Sequence, residues 1–356
     1  MPQPHCRTIS PLSLKALTAL ILSLLFLAPL NAEQASKKET LELTDTSKLS
    51  YDARLTKLDY GYPVEVFEIA SQGQTLAMAY GYLKGEEDKP TITLLHGKNF
   101  NGAYWLQTAT YLNSQGYSVL IPDQIGFGKS SKPETYQYSF AVLADHTVKL
   151  LKHLSINKTI IIGHSMGGML ATRFALQHPD MTEQLILLNP IGLENYLRYV
   201  EYKDTDFFYK AELKKTPEGI RAYQQKNYYD GAWTAKYDSL THFMIGQLQG
   251  PDKKKIAWVN ALTYDMIFTQ PVVTELKNIF VPTTLIIGTR DRTGPGRNWK
   301  RSNVSHQLGL YDQLGDEAAR QIPNAKLIKL KAIGHLPHIE DFTAFKKVLN
   351  TALKPK

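Results

Sequence analysis

The stretch Gly163-His164-Ser165-Met166-Gly167-Gly168 directly follows the apolar run Thr159-Ile160-Ile161-Ile162. The run is typical of a buried strand, and the residues after the stretch begin an apolar helix. Glycines on both sides of the serine remove a Cβ where backbone segments approach closely, so they predict a tight strand-to-helix turn. Such a turn places Ser165 at its apex in strained geometry, with its hydroxyl above the sheet. For this stretch taken alone, a serine that merely caps the helix is the alternative.

Two further strand-like segments end near side chains that can act with such a serine. Residues 283–288 form a buried-strand pattern and Asp291 follows shortly after, whereas residues 326–331 alternate and lead to His335. Because the carboxyl ends of parallel strands meet at one edge of a sheet, we expect these side chains to lie beside Ser165. His335 would take the serine proton and Asp291 would orient the imidazole. For Asp291, a carboxylate satisfied by loop amides is the alternative.

Residues 91–95 predict a further strand, which ends in a His-Gly loop. The backbone of such a loop can turn N–H groups toward an oxygen that becomes negatively charged during a reaction. We assign the N–H of Met166 as one donor and the N–H of Lys98 as the other, with that of Asn99 as the near alternative. We expect His96 to anchor this loop rather than to act as a base.

The chain order serine, aspartate, histidine, each after a strand, resembles that of the α/β-hydrolases. The resemblance covers about residue 60 to the C-terminus. It implies an α/β-hydrolase fold, which is a mostly parallel sheet flanked by helices with an inserted helical cap, and a serine hydrolase that needs no cofactor and no metal. Members that resemble haloalkane dehalogenases or epoxide hydrolases carry an aspartate in place of Ser165, so the serine argues against both activities.

The resemblance favours a small-molecule carboxylic ester as the substrate, cleaved through an acyl-enzyme. Lactones, amides and C–C bonds beside a ketone stay open, since the same residues serve these reactions. The stretch Lys98-Asn99-Phe100-Asn101 departs from the Gly- and Pro-rich stretch of the C–C hydrolases, which weakens that alternative. A non-catalytic binding protein on this scaffold would have lost one of the three residues, and all are present. His338, Trp105 and Phe100 are candidates for the substrate pocket. For Trp105, packing of the first helix onto the sheet is the favoured interpretation, and for His338 a supporting place behind the catalytic residues is the alternative.

The sequence divides into five parts. Residues 1–32 are predicted to be a signal peptide and residues 33–58 a polar linker or loosely packed arm. Residues 59–191 and 272–356 are predicted to form the two parts of the α/β core, because strand and helix patterns alternate there. Residues 192–271 interrupt the alternation and are rich in aromatics, which predicts a helical cap over the serine.

Composition addresses compartment and partners. Arg7 and Lys15 precede an apolar run, 16–30, that falls short of the ~18–20 residues of a membrane span. Export to a periplasm or the extracellular space is therefore predicted, without stable membrane insertion after leader removal, and an uncleaved anchor is the alternative. The single cysteine, Cys6, lies in the leader, so the mature chain would have no disulfide. The net charge of +8 is compatible with a solvated surface or an anionic substrate, and no basic run indicates nucleic-acid binding. The oligomeric state stays open.

Overall fold

The computed structural model describes residues 44–353. Eight strands form one sheet: β1 Val64–Ser71, β2 Gln74–Leu83, β3 Thr91–Leu95, β4 Ser118–Pro122, β5 Thr159–His164, β6 Thr182–Leu188, β7 Thr283–Gly288 and β8 Lys326–Leu330. Their order across the sheet is β1-β2-β4-β3-β5-β6-β7-β8. The strands β1, β2 and β4 pair antiparallel, and all other pairs are parallel. The predicted mostly parallel α/β sheet is confirmed.

Six helices flank this sheet: α1 Leu106–Ser114, α2 Phe140–His153, α3 Met166–Gln177, α9 Tyr311–Gln321, α10 Pro337–Glu340 and α11 Phe342–Leu353. Successive strand residues point to opposite faces. In β5, Ile161 belongs to the apolar cluster that includes α2, α3 and α9, whereas Ile160 and Ile162 belong to the cluster that includes α1 and α11. Both faces are therefore covered, which explains why the central strands are uninterrupted apolar runs.

Five more helices lie between β6 and β7, within the range 192–271 that the sequence singled out: α4 Thr205–Leu213, α5 Pro217–Tyr228, α6 Ala235–Ser239, α7 His242–Leu248 and α8 Lys253–Thr269. We call residues 205–269 the helical insertion. Helices α4 and α8 pack against each other through aromatic side chains, with the rings of Phe208 and Tyr264 at 4.7 Å. Some aromatic residues of the insertion thus pack its own helices together, whereas Tyr228, Tyr229 and Tyr237 pack in the core cluster that includes α1 and α11.

Residues 44–58 are not a loosely packed arm, which corrects the prediction for this part of the chain. Leu55 is fully buried. The backbone N–H of Tyr51 donates to the carbonyl of Gly246 at 2.9 Å, and that of Ala53 donates to Asp252 Oδ2 at 2.8 Å. The segment is polar in composition, but its backbone groups bond to the helical insertion at residues 51 and 53 and to Lys129 of the core at Leu55, whose carbonyl accepts from Lys129 Nζ at 2.8 Å.

The predicted signal peptide lies outside the described residues. Within residues 44–353, the structure contains no helix with the length and apolar character needed to cross a bilayer.

Candidate active site

Ser165 lies between the end of β5 and the start of α3 in a backbone conformation that side chains rarely adopt, with φ +56° and ψ −121°. The flanking glycines make this turn possible. A Cβ on Gly163 would lie 2.2 Å from the carbonyl oxygen of Gly167, and a Cβ on Gly167 would lie 2.2 Å from that of Leu95. Strain of this kind persists where the surrounding structure fixes it, and it exposes the serine hydroxyl at the carboxyl edge of the sheet.

The structure brings Ser165, His335 and Asp291 together in one hydrogen-bonded chain. Ser165 Oγ lies 3.0 Å from His335 Nε2, and His335 Nδ1 lies 2.7 Å from Asp291 Oδ2. Because the carboxylate only accepts, His335 Nδ1 carries the proton and Nε2 is left to accept from the serine hydroxyl. The histidine and the aspartate are fully buried, while Ser165 keeps 7% of its surface exposed. This arrangement can deprotonate the serine at the moment of attack on a substrate.

Asp291 is held by one donor from its own loop and one from the end of the neighbouring strand β6. Thr293 donates its backbone N–H to Oδ1 at 2.8 Å, and Asn189 donates its amide to Oδ2 at 2.9 Å. Burial raises the pKa of Asp291, but the charge and hydrogen bond of His335 and the bonds from Thr293 outweigh it, so the net pKa is lowered. The carboxylate therefore stays ionised beside the imidazole. Sequence analysis missed Asn189, although its place directly after β6 put it at the same sheet edge.

His164, which precedes the serine, connects the two loops that flank it rather than only packing. Its Nε2–H donates to the carbonyl oxygen of His335 at 2.8 Å, so its Nδ1 accepts from the Tyr104 hydroxyl at 3.0 Å. That hydroxyl in turn accepts from the backbone N–H of Gly97 at 3.0 Å. Burial, followed by the nearby charge of His335, lowers the pKa of His164 well below its usual value. A neutral imidazole thus ties the His-Gly loop to the loop that carries His335.

The His-Gly loop lies against the serine as predicted from its place after β3. A Cβ on Gly97 would lie 3.1 Å from Ser165 Cβ. Within residues 44–353, the backbone N–H groups of Lys98, Asn99 and Met166 have no hydrogen-bond acceptor. Unpaired N–H groups beside a buried serine are what stabilisation of an oxyanion requires. His96 anchors the loop, since its Nε2 accepts from the Gln124 N–H at 3.1 Å.

The three pocket candidates lie in the packed interior rather than beside the serine hydroxyl. Trp105 and His338 are fully buried, and their rings stack on each other at 4.5 Å. Both side chains pack in the interior next to His164, whose ring lies 6.3 Å from that of Trp105 and 5.0 Å from that of His338, and their assignment to the substrate pocket stays a prediction. Phe100 is 3% exposed and stacks on Tyr104 at 4.7 Å. It lines a cavity of about 240 Å³ beside Tyr51 and other residues of segment 44–58.

Tyr228, at the end of α5, contacts the site from the helical insertion. Its ring stacks on the His335 ring at 4.7 Å, and its carbonyl accepts the His335 N–H at 3.3 Å. Its hydroxyl accepts from the side-chain amide of Asn99 at 2.9 Å. One residue of the insertion thus contacts both the histidine and the His-Gly loop. No spacing in the sequence connects position 228 with position 335, so only the three-dimensional structure identifies this contact.

The comparisons with known proteins agree with this geometry. The sequence model of the alpha/beta hydrolase fold matches residues 90–342. A crystal structure of a probable hydrolytic enzyme from Pseudomonas aeruginosa PAO1 is 44% identical over 86% of this chain and 99% of that chain, with a TM-score of 0.84. A protein of Pseudomonas syringae named as a candidate carbamate hydrolase, RutD, is 28% identical over 75% of this chain and 94% of its own length. An esterase from Exiguobacterium antarcticum, 16% identical over 79% of this chain and 97% of that one, shares the fold with a TM-score of 0.61. The chain belongs to the alpha/beta hydrolase fold family and is a hydrolase of that fold.

Proposed function

We propose that this hydrolase cleaves carboxylic esters through an acyl-enzyme on Ser165. The observation that carries the proposal is the buried chain of hydrogen bonds from Ser165 Oγ through His335 to Asp291, at 3.0 Å and 2.7 Å. An activated serine of this kind attacks carbonyl carbon, and esters are the carbonyl compounds with the best leaving group among the common candidates.

The reaction has two halves. His335 Nε2 takes the proton of Ser165 as Oγ bonds to the carbonyl carbon, and the carbonyl π electrons move to its oxygen. The intermediate collapses, the bond to the alcohol oxygen breaks, and His335 returns the proton to that oxygen. Water then attacks the acyl-serine with the same histidine as base, which releases the acid and restores the Ser165 hydroxyl. Asp291 stabilises the imidazolium in both halves.

The oxyanion would be held by backbone N–H groups. Met166 and Lys98 are the first choice and Asn99 is the alternative to Lys98, because all three N–H groups lack another acceptor within residues 44–353. Loss of one such donor typically costs a factor of about 10²–10³ in kcat. Because these donors are backbone groups, the hole does not depend on the side chains at these positions.

A carbamate is the second candidate substrate. The relative from Pseudomonas syringae, matched over 94% of its length, is the specific observation that favours it. The same serine can attack a carbamate carbonyl, so the triad does not choose between the two classes.

The test is hydrolysis of p-nitrophenyl acyl esters from C2 to C12 and of p-nitrophenyl carbamates by the purified chain without its leader. Ser165→Ala should abolish turnover, whereas Ser114→Ala, an exposed serine on α1, should retain it. Cleavage of carbamates but not esters would replace the ester proposal by the second candidate. If Ser165 neither turns over any carbonyl substrate nor reacts with a fluorophosphonate, the proposal is wrong.

We further propose that the chain is exported, on the strength of the basic, apolar and small-residue pattern of residues 1–32. The N-terminus of the protein recovered from the periplasmic fraction, determined by mass spectrometry, tests this. Recovery of the uncleaved chain with the membranes would favour the anchor instead.

A further inference from the structure

The ammonium group of Lys98 lies where the core contacts the helical insertion. Its Nζ lies 5.6 Å from the ring centre of Phe127, which follows β4, and 5.6 Å from that of Tyr264 on α8. The side chain is partly buried, and within residues 44–353 its ammonium makes no hydrogen bond and no ion pair. A desolvated cation without a paired anion costs free energy, which the two rings offset only in part.

The charged groups that act on Lys98 are Glu212 on α4 and Lys215 just after it. Glu212 already accepts from Lys215 Nζ at 2.6 Å and from the Asn260 amide at 3.2 Å. Lys98, Lys215 and Glu212 together carry two positive charges and one negative charge when all three are ionised. Burial lowers the pKa of Lys98 to about 7, against the opposing effect of Glu212 and together with that of Lys215. Below about pH 7, where Lys98 is protonated, one positive charge therefore stays uncompensated beneath the insertion.

A cavity of about 330 Å³ opens between α4 and α5 and reaches the His-Gly loop. Its lining includes Asn99, Lys214, Lys215 and Tyr223, and contains no acidic residue. Two of these residues contact Tyr228, the residue that stacks on His335: Asn99 by its hydrogen bond and Tyr223 by an edge-on ring contact at 5.6 Å. The Tyr228 side chain thus lies between the cavity and His335, and Lys214 and Lys215 line the cavity wall.

From this arrangement we infer that the substrate is a monoanion, an ester or carbamate that bears a carboxylate, and that the Lys98 ammonium binds that carboxylate. The inference rests on the proposed function, because it places the carboxylate in the same site that would attack the carbonyl. Lys214 and Lys215 in the cavity wall would raise the local concentration of such an anion. The charge can belong to the acyl side or to the alcohol side of the substrate, and both place a carboxylate against the same ammonium.

Matched ester pairs test the inference. Mono-p-nitrophenyl glutarate and p-nitrophenyl valerate differ by a carboxylate in place of the terminal methyl group of the acyl chain, and 4-carboxyphenyl acetate and 4-methylphenyl acetate make the same exchange on the alcohol side. The readout is the ratio of kcat/KM for the charged ester to that for the neutral one, after subtraction of the Ser165→Ala background. A ratio cancels any effect of the substitution on the His-Gly loop itself.

For at least one pair, we expect Lys98→Met to lower this ratio by tenfold or more and Lys98→Arg to keep it within about threefold of the wild-type ratio. Lys347→Met, an exposed lysine on α11, is the control and should leave the ratio unchanged. The pair that responds identifies the side that carries the carboxylate. If neither ratio responds, or if both esters of each pair lose activity equally, Lys98 does not bind the carboxylate and the inference is wrong.

A binding measurement separates this inference from the proposed ester cleavage. Monomethyl glutarate should bind to Ser165→Ala protein, as measured by calorimetry, with a Kd at least tenfold lower than to the Ser165→Ala, Lys98→Met double variant. This result without turnover of any ester would refute ester cleavage and support the anion site. No binding, or equal binding to both proteins, would overturn the inference even if p-nitrophenyl valerate is cleaved.

Discussion

Replacement of His338 by phenylalanine should make the protein less sensitive to acid. The His338 side chain is fully buried, stacks on Trp105 at 4.5 Å and meets Tyr104 edge-on at 4.9 Å. Within residues 44–353 neither of its ring nitrogens has a hydrogen-bond partner. Burial, followed by the charges of His164, His335 and Lys236, lowers its pKa well below the ordinary value of 6.5. The folded protein therefore holds His338 neutral at pH values where the unfolded chain protonates it.

The magnitude follows from this difference in protonation. Below pH 6.5 the unfolded state binds a proton that the folded state does not bind, so the free energy of unfolding falls as the pH falls. For one histidine that titrates at 6.5 only when unfolded, the loss between pH 7 and pH 5 is about 2 kcal/mol. Phenylalanine occupies a similar ring volume and binds no proton, so the variant should lose about 2 kcal/mol less than the wild type over this interval.

Urea unfolding followed by circular dichroism at pH 7 and pH 5 measures the two free energies. The compared quantity is the difference between the two pH values, so an effect of packing that is equal at both pH values cancels. His153→Phe, at an exposed position on α2, is the control and should change that difference by no more than about 0.5 kcal/mol. An equal acid loss in His338→Phe and wild type would refute the reasoning, because His338 would then be protonated or hydrated inside the folded protein.

Three further predictions concern the site. Asp291→Asn places an amide against His335 and disfavours the required tautomer, so kcat on p-nitrophenyl esters should fall by about 10⁴-fold with little change in KM; a loss below tenfold would contradict the assigned role. His164→Phe removes the hydrogen bond to the His335 carbonyl, and we expect kcat to fall by about 10–100-fold at nearly unchanged KM, since a buried carbonyl left without its donor costs about 1–3 kcal/mol; a rise in KM alone would contradict a positioning role. The preference for charged over neutral esters should decline as the pH rises through about 7, because Lys98 loses its proton there. The groups that face Lys98 are Glu212, Lys215 and Tyr264. A ratio of kcat/KM for charged to neutral ester that stays constant from pH 6 to 8.5 would contradict this prediction.

The sheet and the three central side chains could be predicted from the sequence because each follows a buried strand. Parallel strands bring their carboxyl ends to one edge, so the position of Asp291 and His335 along the chain fixed their place beside Ser165 in space. Asn189 follows β6 in the same way and was missed only because its amide was not considered as a partner of Asp291. For these residues, the local pattern of a buried strand followed by a polar side chain predicts a position at the carboxyl edge of the sheet.

Contacts between the insertion and the core could not be predicted in this way. Tyr228 reaches His335 through the way α5 packs, and packing of helices depends on many side chains at once rather than on a motif. The same limit applies to Trp105 and His338, since aromatic and imidazole rings suit a pocket wall and a buried stack equally well, and only the three-dimensional structure shows that these two rings stack. Segment 44–58 is a similar case. Its polar composition gives no sign of the backbone hydrogen bonds through which it contacts the helical insertion.

The docking of segment 44–58 has a consequence for how the helical insertion can move. Backbone N–H groups of residues 51–53 donate to the carbonyl of Gly246 in α7 and to the carboxylate of Asp252, just before α8. The Gln247 amide donates to the Ala53 carbonyl at 3.3 Å. A hinge that lifted this end would have to break all three bonds together. Helices α4 and α5 border the 330 Å³ cavity. Within the described residues, their hydrogen bond to segment 44–58 is the one from the Arg221 guanidinium, which donates to the Thr46 hydroxyl at 3.1 Å. We therefore expect an opening that admits a bulky molecule to leave the α7–α8 end of the insertion in place.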